Sequence, residues 1–499
     1  MLNHRKNHPV TPALEEQDDR KKDRRKQKLE IPVFLLCVFA VLAGGLCMAT
    51  LNLPSVDDVP QEHPLSGLTK ADPTPSVQAH NKQVVEKKSS SVKKQYHIVF
   101  STSCDAQQHW ESYVLFYHAW KVGQPGNVTR LLSGCGDDDK EKQQIFYENY
   151  IQTLSPNFHV HFTPDFSQVQ HHVDNDKTRK YKYMNKPFSL KHWLENELGY
   201  GENNLNTKYD DDIVFLVDPD MILLKPLTHD FRNDPTVQLI DKPDAEHKVV
   251  RRGHPMAQQD GYLSNTWMAL DMEKITLDKN SPVLAIKQKD GFTHWNAGPP
   301  YIFTALDGYK IATKWVDFAP RVVLQFPNLF AEMFGYIIAS AHLELPHTLI
   351  KSLVVSTTET LNREAWSFVD NLPEVCPHPP PSGIFALHYC KRYILGKRWF
   401  WSKYRLRKDY MDCHVPLMQE PDPSIQEERE WYGPPPVQSY KGIWTHDHGN
   451  FTAKRVKREA FMLCGMIPKV NEAVEYYKRQ ACGDSGNYSK FYNVHDDPG

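Results

Sequence analysis

The chain of 499 residues has no excess of charge of either sign, because 59 Lys and Arg residues stand against 61 Asp and Glu residues. Without a strong overall field, nucleic acid is not an expected partner. None of its nine cysteines forms a C-x-x-C pair, which disfavours a zinc or redox site of that type. The sequence also shows no internal repeat. These absences leave a chain long enough for a large hydrophobic core.

Long apolar runs are also scarce, and the one that could span a bilayer is residues 31–53, which carry no charge. Seven of the nine residues 20–28 are Lys or Arg, whereas acidic residues follow the span from Asp57 onwards. The positive-inside rule therefore places residues 1–30 in the cytosol and the rest of the chain on the luminal side. A cleaved signal peptide is the alternative, but its apolar core is usually shorter. We expect an uncleaved signal anchor.

Cysteines and sequons agree with a luminal chain. Two cysteines, Cys37 and Cys47, lie in the predicted span, so seven remain. Some of these should pair in an oxidising compartment, and the odd count leaves at least one out. Three N-x-S/T sequons also fit this location: Asn127, Asn450 and Asn487.

Composition divides the luminal part into three segments. Residues 54–94 are rich in Pro, Ser and Lys without an apolar period, which predicts a flexible stem. The folded domain is predicted over residues 95–415. Residues 416–499 begin charged and Pro-rich and form a predicted C-terminal extension.

The folded domain opens with a β-α-β pattern. Residues 96–100 read as a strand, residues 109–121 as an amphipathic helix and residues 128–132 as the next strand. This order predicts an α/β fold with a parallel sheet. Two further helices are expected, one starting at Asn185 and one over residues 329–343.

The strongest functional signal is the segment 213–227, IVFLVDPDMILLKPL. An apolar strand ends at Asp218-Pro219-Asp220, and ligands of α/β proteins bind at the carboxyl ends of strands. Two carboxylates one residue apart suit Mg²⁺ or Mn²⁺ bridging a diphosphate. Such a D-x-D arrangement is typical of glycosyltransferases that use nucleotide sugars. The alternative is a strand followed by an ordinary acidic turn.

Several motifs follow one another in order across residues 96–395. They are YHIVFST from Tyr96, QPG from Gln124 followed by TRLLS from Thr129, NKP from Asn185 with Trp193-Leu194, VDPDM from Val217, EMFGY from Glu332 with Ala339-Ser340-Ala341, and LHYC from Leu387. By the order and spacing of these motifs, the chain resembles the peptidyl O-glycosyltransferases of the hydroxyproline O-arabinosyltransferase and peptidyl serine α-galactosyltransferase type.

The resemblance implies a GT-A-like nucleotide-sugar-binding domain with a mostly parallel central sheet, preceded by one transmembrane helix and a flexible stem. It further implies a single-pass type II protein of the Golgi or endoplasmic reticulum membrane. The enzyme would be a retaining glycosyltransferase that uses a UDP-sugar and Mn²⁺ or Mg²⁺. Its partners would be Pro-, hydroxyproline- or Ser-rich secretory proteins, and the sugar would be arabinofuranose or galactose.

Candidate site residues follow from the motifs. Asp218 and Asp220 are the expected metal ligands, with Asp220 also counted as catalytic through the metal, and the resemblance adds His388 as the third. The alternative for His388 is a core histidine. Thr102, Ser103 and Arg130 are predicted to contact the donor, although turn capping and a surface salt bridge would explain them equally.

Two residues at helix starts complete the set. Lys186 is predicted to contact a phosphate or sugar, or else to be merely solvated. Glu332 is the predicted catalytic carboxylate, which would contact the donor sugar, serve as a base or stabilise positive charge. Its alternative is to complement the helix dipole. Two other functions stay open: a transferase acting on glycan acceptors, and a catalytically silent lectin-like scaffold.

Overall fold

The computed structural model describes residues 94–169, 179–241, 245–260, 263, 265–360, 363–395, 399–422, 425 and 453–491. The predicted cytosolic tail, the predicted span 31–53 and all but the last residue of the predicted stem lie outside these residues. Among the helices that are described, none is long and apolar enough to cross a bilayer.

Sixteen strands and nine α-helices are formed by the described residues. The strands are β1 (Tyr96–Ser103), β2 (Asn127–Ser133), β3 (Phe158–Thr163), β4 (Gln168–Val169), β5 (Arg179–Lys180), β6 (Ile213–Val217), β7 (Met221–Leu223), β8 (Met256–Gln259), β9 (Ala297–Thr304), β10 (Thr348–Ile350), β11 (Val354–Val355), β12 (Ala386–His388), β13 (Tyr393–Leu395), β14 (Trp399–Trp401), β15 (Leu417–Met418) and β16 (Lys490–Phe491). The helices are α1 (Ala106–Lys121), α2 (Asp137–Phe146), α3 (Asn185–Asn196), α4 (Met272–Thr276), α5 (Gln288–Asp290), α6 (Ala305–Gln325), α7 (Ala331–His342), α8 (Ser367–Asp370) and α9 (Ala453–Ala481).

A seven-stranded sheet in the order β10-β8-β9-β6-β1-β2-β3 forms the centre of the fold. Strands β6, β1, β2 and β3 run parallel to one another, and β9 is antiparallel to both β6 and β8. The predicted mostly parallel sheet is therefore confirmed. Because β1 and β6 are parallel neighbours, Ser103 and Val217 end at the same edge of the sheet.

Alternation along the strands separates two hydrophobic cores. Ile98 and Phe100 point into one core with α1 and α9, while Val99 between them points into the other. The second core is completed by α3, α6 and α7. Helices thus cover both faces of the sheet, as expected for an α/β fold.

A smaller sheet extends the edge where the functional residues collect. It has the order β11-β12-β7, and β12 is antiparallel to β7 so that His388 lies opposite Met221. The backbone N–H of Tyr389 also donates to the Asp220 carbonyl at 3.0 Å. This register brings a strand from late in the chain next to the Asp218–Asp220 segment.

Three disulfides join the described cysteines. They are Cys104–Cys135, Cys376–Cys464 and Cys413–Cys482, which leaves Cys390 free. The first ties the end of β1 to the end of β2, and the second ties α9 to the loop after α8. The expectation that some cysteines pair and at least one is left out is confirmed.

Candidate active site

One cavity of about 230 Å³ lies at the carboxyl edge of the central sheet. Seven of the eight residues singled out from the sequence line it: Thr102, Ser103, Lys186, Asp218, Asp220, Glu332 and His388. They come from the ends of β1, β6 and β12 and from the first turns of α3 and α7. The fold therefore collects at one place residues that are up to 286 positions apart in the sequence.

Asp218, Asp220 and His388 form a cluster that suits a cation. Each offers one ligand atom, and these three atoms lie within 4.8 Å of one another. The His388 Nε2 atom is 3.2 Å from Asp220 Oδ1 and 3.6 Å from Asp218 Oδ2. Carboxylate and imidazole ligands together are acceptable to Mn²⁺.

The contacts of the His388 ring test whether these three residues fit a divalent cation. Its Nε2 atom is buried and has no hydrogen-bond partner of acceptable geometry in the described part of the chain. A buried nitrogen that faces two carboxylate oxygens without a well-formed hydrogen bond to either is what a shared cation between the three atoms would explain. The residues present therefore fit a divalent cation.

Two lysines bind the carboxylate oxygens that face away from His388. Lys186 Nζ lies 2.9 Å from Asp218 Oδ1 and 2.8 Å from Glu332 Oε1. Lys403 Nζ lies 2.7 Å from Asp220 Oδ2. Each aspartate thus presents one oxygen to His388 and one to a lysine.

These contacts govern the charges in the cavity. Burial opposes ionisation of Asp220, but Lys403 and His388 outweigh burial and hold its pKa well below the ordinary value. Burial likewise opposes the charge of Lys186, yet Asp218 and Glu332 raise its pKa above the usual range. For Glu332, burial wins and raises the pKa, although Lys186 offsets part of the effect.

Thr102 and Ser103 line the cavity, whereas Arg130 does not. The Arg130 side chain is buried behind β1, where Nε donates to Thr102 Oγ1 at 2.8 Å and Nη1 donates to Gln143 Oε1 at 3.0 Å. Its guanidinium holds Thr102 in place rather than facing the cavity, which differs from the direct phosphate contact expected from the sequence.

Five charged residues that line the cavity were not predicted from the sequence, namely Asp105, Glu111, Lys182, Lys391 and Lys403. Lys403 lies in a short 3₁₀ turn after β14, and Glu111 lies in the middle of α1. Burial raises the pKa of Glu111 to about 7, with Lys403 opposing that rise. A charged residue inside the apolar run from Trp110 to Ala119 was a usable signal for Glu111. Nothing near Lys403 in the sequence marks it.

No family model matches the chain. A curated protein, the peptidyl serine α-galactosyltransferase of Arabidopsis thaliana, is 27% identical over 344 residues, or 66% of this chain. The chain spans about a third of that relative's length, since the match covers 34% of it.

Solved structures show only a distant likeness. The bifunctional glycosyltransferase WbbM is 12% identical, with a TM-score of 0.30 over 60% of this chain and 46% of that chain. The galactosyltransferase LgtC, solved with donor and acceptor sugar analogues, is 12% identical, with a TM-score of 0.31 over 59% of this chain and 87% of that chain. The Arabidopsis relative confirms the resemblance to the peptidyl O-glycosyltransferases that the ordered motifs indicate.

Proposed function

We propose that the protein is a metal-dependent, retaining glycosyltransferase that moves a sugar from a UDP-sugar to hydroxyproline or serine of secretory proteins. The cluster of Asp218, Asp220 and His388 at the carboxyl edge of the sheet carries the proposal. The relative named a peptidyl serine α-galactosyltransferase supports a peptide hydroxyl as the acceptor. Arabinofuranose and galactose are the proposed sugars.

The proposed metal ligands are Asp218, Asp220 and His388. A divalent cation bound there would act as a Lewis acid on the diphosphate leaving group. Lys186 fixes the outer oxygen of Asp218 through its 2.9 Å contact and so orients the inner oxygen towards His388. Outer contacts of this kind set the geometry of a metal site.

Glu332 is the proposed catalytic carboxylate. Its Oε1 accepts from Lys186 at 2.8 Å, while its buried Oε2 has no hydrogen-bond partner among the described residues. That oxygen is free to accept a hydrogen bond from a sugar hydroxyl or to stabilise positive charge as the bond between sugar and diphosphate breaks. Thr102 and Ser103 are proposed to contact the nucleotide, with Arg130 positioning Thr102.

The decisive experiment measures UDP release from a panel of UDP-sugars, with and without Mn²⁺, in the presence of hydroxyproline-rich or serine-rich peptides. We expect UDP release that requires one of the UDP-sugars, one of the peptides and Mn²⁺. Oligosaccharide acceptors in parallel test the glycan alternative. Failure to bind any UDP-sugar or Mn²⁺ in calorimetric titration would favour the silent scaffold.

The variant Asp220→Asn tests the site itself. It removes one charge with little change in shape, so we expect a loss of transfer of about 10²-fold or more, because the metal loses an anionic ligand. Asp211→Asn is the matched control, since Asp211 is exposed and pairs with Arg252 outside the cavity. Full transfer by Asp220→Asn would contradict the assignment.

A further inference from the structure

The Asp220 carboxylate contacts two residues at once. Its Oδ1 faces His388 Nε2 at 3.2 Å, whereas its Oδ2 is held by Lys403 Nζ at 2.7 Å. The Lys403 side chain is 13% exposed, so this ion pair is shielded from water. Coulomb interactions are therefore stronger here than at an exposed pair. The Asp220 carboxylate, a proposed metal ligand, is therefore already neutralised by the Lys403 ammonium group.

Lys403 also has a second anion within reach. Glu111 Oε1 lies 4.0 Å from Lys403 Nζ and lines the same cavity. The Glu111 residue is 1% exposed, and its Oε2 has no hydrogen-bond partner in the part of the chain that the structure describes. A buried carboxylate in this state needs a cation or a donor nearby.

A hydrogen bond holds the backbone of the turn that carries Lys403. A change of partner for the Lys403 ammonium group therefore requires only its side chain to move. The Gln107 side chain on α1 donates from Nε2 to the Lys403 carbonyl at 2.8 Å, and Glu111 follows one turn later on the same helix. Among the described residues, five carboxylates and four lysines line this cavity, so its side-chain charges of opposite sign nearly balance.

We propose that Lys403 is a positioning residue that couples metal binding to nucleotide binding. Without nucleotide, its ammonium group shares Asp220 with the metal and weakens metal binding by charge repulsion. When the donor enters, its diphosphate takes over as a partner of Lys403, and Asp220 is left to the metal. Glu111 holds the ammonium group within the cavity. This inference rests on the proposed function, because it assumes the metal and the diphosphate.

Two physical consequences follow from that competition. A positive charge beside a ligand carboxylate lowers its affinity for a cation, and an entering diphosphate removes the penalty. UDP should therefore tighten Mn²⁺ binding, and by linkage Mn²⁺ should tighten UDP binding by the same factor. Removing the Lys403 charge should abolish most of this coupling.

The test uses calorimetric titration of the full chain with Mn²⁺, with and without saturating UDP, for the wild type and Lys403→Met. We expect Lys403→Met to bind Mn²⁺ alone about tenfold more tightly and to lose most of the UDP effect. Its KM for the donor should rise more than its kcat falls. Lys403→Arg keeps the charge and should keep the coupling. Lys182→Met is the matched control, because Lys182 is an exposed lysine of the same cavity that forms no ion pair with Asp220 in the described part of the chain.

A second variant covers the case in which Lys403→Met does not fold. Glu111→Gln leaves Lys403 with Asp220 as its anion, so Mn²⁺ alone should bind more weakly and the UDP effect should grow. Unchanged or weaker Mn²⁺ binding by folded Lys403→Met, or a smaller UDP effect in Glu111→Gln, would overturn the inference. A wild type that binds no Mn²⁺ would instead overturn the proposed metal site.

Discussion

The burial of Glu332 and the contacts of its two carboxylate oxygens distinguish it from an ordinary glutamate at a helix start. A glutamate that only complements the helix dipole would be exposed, whereas the Glu332 side chain is 4% exposed and paired with Lys186. Its second oxygen has no hydrogen-bond partner among the described residues. At the residue scale, burial and this orphan atom favour the catalytic interpretation over the dipole one.

Glu332→Gln should therefore reduce kcat by about 10²-fold to 10³-fold, because a neutral amide stabilises developing positive charge poorly. Glu332 is not a proposed metal ligand, so the affinity for Mn²⁺ should change little. Steady-state kinetics and a metal titration together check both parts. The exposed Glu273 on α4 offers a matched Glu→Gln control. A variant with normal kcat would remove Glu332 from the reaction.

At the scale of elements, the contact between α1 and α9 joins the start of the fold to its end. His118 of α1 is buried, and its Nε2 donates to the Lys469 carbonyl of α9 at 2.9 Å. The segment after residue 415, predicted only as an extension, thus supplies part of the core that covers one face of the sheet. Cys376–Cys464 adds a covalent link between α9 and the rest.

His118 should make stability depend on pH. Burial lowers its pKa to about 3, although the hydrogen bond to Lys469 opposes the effect. Between pH 6.5 and 3 the unfolded chain therefore binds a proton at this position that the folded chain does not. The free energy of unfolding should fall with decreasing pH in this window, and the contribution of His118 to that fall is at most about 1.4 kcal/mol per pH unit.

The variant His118→Gln keeps a donor for Lys469 but cannot take up the proton, so its stability should fall less steeply on acidification. Urea unfolding at pH 7, 6 and 5 measures the difference between the two slopes. His414→Gln, which changes an exposed histidine, serves as the control. Parallel slopes for wild type and His118→Gln would contradict the prediction.

Elements with a clear local pattern could be predicted from the sequence. The strand ending at Val217 and the helix starting at Asn185 lie where periodicity and Pro187 place them, and the helix expected from residue 329 starts at Ala331. The long helix α6 was missed although its buried residues recur at helical spacing. Short strands such as β10 depend on pairing with distant partners, which no local pattern reveals.

The same dependence on local pattern explains which residues of the site could be predicted from the sequence. Asp218 and Asp220 follow a readable strand, and the family motifs mark His388 and Glu332. Lys403 comes within 2.7 Å of Asp220 only because β12 pairs with β7 and the chain then returns through β14. A contact across 183 positions has no local signature.

At the scale of the whole molecule, the location of the protein depends on residues 31–53, which lie outside the described residues. A helix of 23 residues would be about 35 Å long, more than the roughly 30 Å hydrocarbon core of a bilayer. We propose a type II orientation in the Golgi or endoplasmic reticulum membrane, with the cavity in the lumen. The protein would then encounter its substrate peptides and UDP-sugars in the same compartment.

Two results would follow in secretory cells. The full chain should stay in the membrane pellet after alkaline extraction, because the span is held by hydrophobic burial rather than by charge. It should also carry N-glycans removable by glycosidase, since the sequons would be luminal. Replacing residues 1–53 with a cleavable signal peptide should release a glycosylated, active protein into the medium, whereas deleting residues 2–19 alone, which leaves the basic run, should not. A full chain that alkali extracts, or that lacks glycans at all three sequons, would contradict the proposed orientation, because an anchored luminal domain meets both conditions.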